Sequence, residues 1–168
     1  MRWLPLLVIL CLTGLIGFVT IHQSRDGRQM GVRLLVLGYF AGLGIILFTP
    51  ISFDGTAVYV MPAGYGQVNL TRLNLFNVGF DENILLTLPL GWLIKRRAPR
   101  TPLIVIGILG LIIGGSIEVT QYYMSQHWLI NRSSDINDVL ANGIGVALGG
   151  MAMAIVHQVF QRTPVKSN

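Results

Sequence analysis

The sequence predicts an all-α membrane protein, a polytopic bundle of about five transmembrane helices. Three observations carry this prediction. Apolar residues make up 52% of the chain and charged residues 11%, whereas a soluble domain carries about 25% charged residues. So few charges do not make a water-facing surface, and the shortfall disappears if most of the surface faces lipid. Four apolar runs each approach or exceed the roughly 20 helical residues needed to cross a bilayer, and the basic residues stand in short clusters between runs. Residues 1–168 read as a single membrane domain.

The first helix is expected over residues 3–21, which carry no charge. Arg2 ahead of it invites a signal-peptide reading. The run is long for a signal core and Thr20-Ile21-His22 is a poor cleavage site, so a retained helix is expected. Cys11, inside this run, is the one cysteine, which excludes an intrachain disulfide framework. Leu10 stands before it where a lipidation signal wants a small residue. The second helix is expected over 34–53, again without charge.

The third apolar run, 83–94, is only 12 residues long. A helix over 81–94 rises about 21 Å, so it is short, shielded by neighbours, or extended upstream through 73–80. The fourth helix, over 102–124, carries one charge, Glu118. The fifth is expected over 136–160 and holds Asn142 and His157. Gly38 and Gly42, Gly110 and Gly114, and Gly145 and Gly149 stand four apart inside these runs. Small residues at that spacing let helix backbones approach closely in lipid, within the bundle or between copies. The loop over 54–80 holds Asn69, Arg72, Asn74 and Asn77, and its Gly-Tyr-Gly and Pro favour turns.

Lys and Arg in short loops set orientation. With five crossings, Arg25, Arg28, Arg33, Lys95, Arg96, Arg97, Arg100, Arg162 and Lys166 fall on one side, and Arg2, Arg72 and Arg132 on the other. Nine against three puts the N-terminus outside and the C-terminus inside. If the short third run failed to cross, the count would invert to four inside against eight, so a crossing helix is expected. Asp54, Asp81, Glu82, Asp135 and Asp138 then gather at the outer side. The basic clusters fit anchoring at anionic headgroups and do not point to nucleic acid.

Glu118 is the most informative single residue, because a charge within a span costs about 2.5–3.5 kcal/mol on insertion scales. Gln121 and Tyr122 share its helical face. Steps of three and four along the fifth helix place Asp135, Asp138 and Asn142 on one stripe that Gly145 and Gly149 continue. Ser133 or Ser134 suits the helix cap, and Asp135 suits the positive N-terminal end. Arg132 is placed to meet Glu118, Asp135 or Asp138. Three readings stay open here: a structural network, a site for a polar or anionic headgroup with Arg132 as the anion contact, and a divalent cation held by the carboxylates. Nothing fixes a metal geometry, so no metal and no cofactor is expected. Asn83 and Thr87 form a further patch one turn apart, before Pro89, which breaks one backbone bond of its helix. No G-x-S-x-G, H-E-x-x-H or P-loop is present. A carboxylate pair for acid–base work can be drawn from Glu118 and Asp138, although such pairs are common in structural networks.

Three stretches resemble the VanZ-like family: N-I-L-L-T-L-P-L-G-W at 83–92, S-I-E-V-T-Q at 116–121, and R-S-S-D-I-N-D-V-L-A-N-G-I-G at 132–145. The resemblance covers roughly residues 75–155 and is carried most specifically by R-x-x-D-x-x-D-V-x-x-N-x-x-G. The family pattern often has Phe where this chain has Thr87. By position, Asn83, Glu118, Gln121, Arg132, Asp135, Asp138 and Asn142 are the motif residues here. The resemblance implies a small bacterial multi-helix protein of the cytoplasmic membrane, in a family whose name-giving member is associated with resistance to the glycopeptide teicoplanin.

The expected function is binding. The outer polar mouth, built from those seven residues, would recognise an amphiphile: a membrane lipid, a lipid-linked wall precursor or a lipidated glycopeptide. The alternative is an intramembrane enzyme acting on a lipid headgroup through Glu118 and Asp138. A transporter needs a through-path that five spans in so short a chain do not readily supply.

Overall fold

A computed structural model describes residues 1–53 and 56–162. Asp54 and Lys166, which enter the charge reading above, lie outside the described residues. The helices are α1 (Leu4–Gln23), α2 (Gly27–Phe48), α3 (Val78–Arg97), α4 (Leu103–Trp128) and α5 (Ile136–Arg162). Short strands lie between them: β1 (Ile51–Phe53), β2 (Val58–Val60), and the two-residue β3 (Val68–Asn69) and β4 (Ser134–Asp135). The chain is all-α in class, and α1, α2, α4 and the Ile136–Val159 part of α5 are long and apolar enough to cross a membrane.

Local chemistry explains where these helices start and stop. The Asp26 side chain accepts from the Arg28 N–H at 2.9 Å and caps α2. The helix therefore begins well before the apolar run at 34–53. It stops at Phe48 because Thr49 and Pro50 follow, and residues 51–53 leave the helix as β1. Asn77 caps α3, its side chain accepting from the Phe80 N–H at 2.9 Å. Lys95, Arg96 and Arg97 fill the last turn of α3, where positive charge suits the carbonyl end. The short apolar run is thus the middle of a 20-residue helix that rises about 30 Å.

The chain divides into two compact units, with the division falling between Val119 and Thr120 inside α4. The first comprises Met1–Val68 and Thr120–Ser134. In it α1 packs on α2, and Gly44 lets Ile9 come close: a Cβ at Gly44 would sit 3.4 Å from the Ile9 Cδ1. β1 and β2 form an antiparallel hairpin with Ile51 opposite Val60 and Phe53 opposite Val58. The loop after α4 lies along residues 64–67. The Asn131 N–H donates to the Gly64 carbonyl at 3.1 Å and the Ser134 N–H to the Gln67 carbonyl at 2.8 Å. Gly66 has φ +67°, and a Cβ there would run into the Arg132 carbonyl, so glycine alone fits. Leu129 (φ 53°) and Asn131 (φ 60°) adopt the left-handed conformation that side chains disfavour.

The second unit comprises Asn69–Val119 and Asp135–Asn168. It is built on close backbone approach. A Cβ at Gly91 would run into the Val146 carbonyl, one at Gly145 into the Ile84 carbonyl, and one at Gly149 into the Leu88 carbonyl. These three glycines let α3 and α5 meet backbone to backbone. A Cβ at Gly110 would sit 2.8 Å from the Val146 Cβ, and one at Gly114 would sit 2.9 Å from the Val139 carbonyl oxygen. The pairs at 110/114 and 145/149 therefore pack helices together, as small residues at that spacing do in lipid. Gly38 and Gly42, in the first unit, differ: a Cβ at either meets nothing within 4 Å among the described residues. Ile106, Ala141 and Val146 are fully buried in the second unit.

Candidate functional site

In the second unit the N-terminus of α5 organises the acidic residues. The Asp135 Oδ1 accepts from the Asn137 N–H at 2.8 Å, so Asp135 itself caps the helix. The same oxygen accepts from the Asn137 Nδ2 at 2.6 Å and the Asn69 Nδ2 at 2.9 Å. Glu118, only 7% exposed, accepts the Asp135 N–H on its Oε2 at 2.8 Å. Its acidic neighbours are Asp135 and Asp138, the latter in the first turn of α5. Asp135 and Glu118 thus both accept N–H groups at the start of α5, groups that have no partner within the helix. A cap of this kind contributes about 1 kcal/mol.

Asparagines extend this network into the loop before α3. The Asn137 Nδ2 also donates to the Arg72 carbonyl at 2.9 Å, and its Oδ1 accepts the Asn74 N–H at 2.8 Å. Asn69 closes a turn on itself, accepting the Arg72 N–H at 2.9 Å and donating to the Arg72 carbonyl at 2.8 Å. Asn137 is 3% exposed and central to this arrangement. It lies inside the D-I-N-D stretch, yet periodicity does not single it out. The signal available in the sequence was the asparagine density of the loop, because Asn side chains replace backbone partners in turns.

Asn142, two turns into α5, is 1% exposed. Its backbone carbonyl accepts from the Thr87 Oγ1 at 3.2 Å, and Thr87 also donates to the Asn83 carbonyl at 2.7 Å. Asn83 therefore enters through its main chain. The Asn142 side-chain Oδ1 and Nδ2 have no hydrogen-bond partner among the described residues. An unsatisfied buried amide costs about 1–3 kcal/mol, so a partner-seeking group sits where packing is otherwise tight. Among the described residues, no group of three or more His, Cys, Asp or Glu side chains is placed to hold a metal ion.

In the first unit, Gln121 and Arg132 serve the carbonyl end of α2. The last four carbonyls of a helix have no partner within it, and in lipid nothing else supplies one. The Thr49 Oγ1 donates to the Ile45 carbonyl at 2.7 Å. The Gln121 Nε2 donates to the Leu47 carbonyl at 2.9 Å. The Arg132 Nε donates to the Thr49 carbonyl at 3.1 Å, and its Nη2 donates to the carbonyls of Ile46 and Ile51. The guanidinium fork spans the helix end and the start of β1, a task for Arg and not for Lys. Ser125, fully buried, holds Arg132 by its backbone, donating to the Arg132 carbonyl at 2.8 Å and accepting its N–H at 2.9 Å. The sequence singles out Gln121 and Arg132 but not Ser125 or Thr49, hydroxyls whose partners lie only four to seven residues away but depend on where α2 and α4 end.

Helices of this length and apolarity, with charged and amide side chains buried between them, define a multi-pass helical membrane protein. A family model described as VanZ/LLP1 matches residues 3–157, and the chain belongs to that family. The match reaches past the motif-bearing stretches into α1 and α2. No curated protein and no solved structure matches the chain.

Proposed function

We propose that this VanZ/LLP1-family protein binds an amphiphile of the bacterial cytoplasmic membrane, holding its polar head at the buried end of the second unit. The observation that carries this reading is Asn142, nearly inaccessible and with both amide atoms unpartnered among the described residues. Asp138 stands one turn before it on α5. On its α4 side it meets Gly114, the Asn142 Cβ lying 3.1 Å from where a Gly114 Cβ would be. Glu118 follows one turn later on α4. A head offering both donors and acceptors, on an apolar tail, complements that set. A membrane lipid, a lipid-linked wall precursor and a lipidated glycopeptide share this chemistry, and the last would connect the protein to teicoplanin resistance. The positive-inside count supports five crossings, with α3 among them, the N-terminus outside and the polar end facing outward.

Asn142→Leu separates binding from folding. Leu has the branching of Asn but is bulkier, so an overpacking cost of about 1–3 kcal/mol offsets the gain from removing an unsatisfied amide, and stability is expected to change little. Lipid co-purified with the protein, read by native mass spectrometry, is expected to fall, and teicoplanin susceptibility of expressing cells to shift with it. Equal lipid retention by wild type and Asn142→Leu removes the basis of this proposal.

The second reading is catalysis on the headgroup, with Glu118 and Asp138 as acid and base. The burial of Glu118 beside Asp138 favours it, whereas the Asp135 N–H on the Glu118 Oε2 favours a cap. Catalysis predicts a headgroup product formed by wild type and lost in Glu118→Gln at unchanged melting temperature. A lowered melting temperature with no product from either protein returns Glu118 to the cap.

A further inference from the structure

A groove of about 210 Å³ opens in the first unit, apart from the polar residues discussed above. Leu4, Val8 and Ile9 of α1 line it together with Phe48, Met124 and Trp128. Its walls expose no polar surface. The lining runs along α4 from Thr120 to Trp128, a rise of about 12 Å. Leu4 and Val8 are 39% and 48% exposed, so the groove is open at its side. A concave hydrocarbon wall within membrane-crossing helices fits a hydrocarbon chain laid along it, and offers nothing to a water-soluble ligand.

The α1 end of the groove has a different character. Leu4 is two residues from Arg2. The Arg2 Nη2 donates to the Met61 carbonyl, its guanidinium lies 5.8 Å from the Trp3 ring centroid, and its Nε is buried with no partner among the described residues. No carboxylate is bonded to Arg2 among those residues. Trp3 precedes the groove at this end of α1, and Trp128 belongs to its lining. Indoles favour the level of the headgroups. A guanidinium at that level with no carboxylate bonded to it among the described residues complements a phosphate.

We propose that the first unit binds one anionic phospholipid of the surrounding bilayer, with an acyl chain in the groove and its phosphate at Arg2. This site uses none of the residues of the proposed headgroup site in the second unit. The two are tested by different variants and stand or fall separately.

The experiment offers the purified full-length protein phosphatidylglycerol and phosphatidylcholine with identical acyl chains, each chain carrying a diazirine. Retention is read by native mass spectrometry and the labelled residues by peptide mapping. Phosphatidylglycerol is expected to be retained in preference and to label residues 4–9 and 120–128. Losing a charge-assisted hydrogen bond is expected to cut that preference about tenfold in Arg2→Gln, with Arg2→Lys intermediate. Val8→Trp, which fills the groove from its open side, is expected to lower labelling by both lipids. Two results overturn the proposal: an undiminished phosphatidylglycerol preference in Arg2→Gln, or labelling spread evenly over outward α1 residues such as Leu7, Leu15 and Phe18, the pattern of annular lipid alone.

Discussion

Gly149→Ala is expected to destabilise the protein by about 3 kcal/mol, at the upper end of the cost of overpacking a tight interface. For a chain of this size that lowers the melting temperature by about 10 °C. Helix propensity taken alone predicts the opposite, because Ala in place of Gly inside a helix gains about 1 kcal/mol. The sign is decided by what the added methyl meets. At Gly149 it meets the Leu88 carbonyl, with the Trp92 backbone nitrogen 2.9 Å away, so α3 and α5 must part. Neither neighbour is a flexible side-chain end. Gly38→Ala is the matched control, since its methyl meets nothing within 4 Å among the described residues. That variant is expected to be neutral or more stable. Thermal unfolding of both in the same detergent, followed by circular dichroism, checks the pair. Equal behaviour of the two variants would show that the α3–α5 seam is not packed as described.

The second large effect belongs to Arg132. Arg132→Ala removes the donor to three carbonyls at the end of α2 and the start of β1. A hydrogen bond from a charged donor contributes about 1.5–3 kcal/mol. These bonds share one guanidinium and do not add, so a loss of about 3 kcal/mol is expected. Arg132→Lys keeps the charge but loses the planar fork, and should recover only part. Local reporting makes the test specific: hydrogen exchange should quicken at residues 45–53 while amides across the α3–α5 seam keep their protection. An anion-binding role makes a different forecast, in which exchange at 45–53 is unchanged and lipid retention falls. Gln121→Ala, which uncaps the Leu47 carbonyl alone, should show the same exchange signature at about a third of the size.

These cases mark how far the sequence could be read. The long apolar runs made the helical class legible, because twenty uncharged residues leave few alternatives in water or lipid. Asp138 and Asn142, four apart, share a face of α5 by helical spacing, whereas Asp135, expected on the same stripe, stands before the helix as its cap. The bond from the Asp135 N–H to Glu118 joins residues 17 apart, across a turn, and no periodicity encodes it. The capping of α5 by Asp135 itself, where Ser133 or Ser134 also suited, was settled by the backbone of the turn. Two of the three glycine pairs pack against neighbouring helices. Spacing identifies such a pair, but whether a partner helix lies opposite depends on the rest of the fold.

The sequence by itself determined that this protein is helical and multi-pass, which family it resembles, and which side chains cannot be ordinary lipid-facing residues. Those properties follow from local composition and from the cost of placing charge in hydrocarbon. Only the tertiary structure decided what the polar residues hold. It assigned Arg132 and Gln121 to carbonyls 74 to 86 residues away, gathered Asn69 and Asn137 around Asp135, and left the Asn142 amide without a partner among the described residues. The reason is that a buried polar group must find its partner in space, and that partner is chosen by how helices pack, not by which residues neighbour it along the chain.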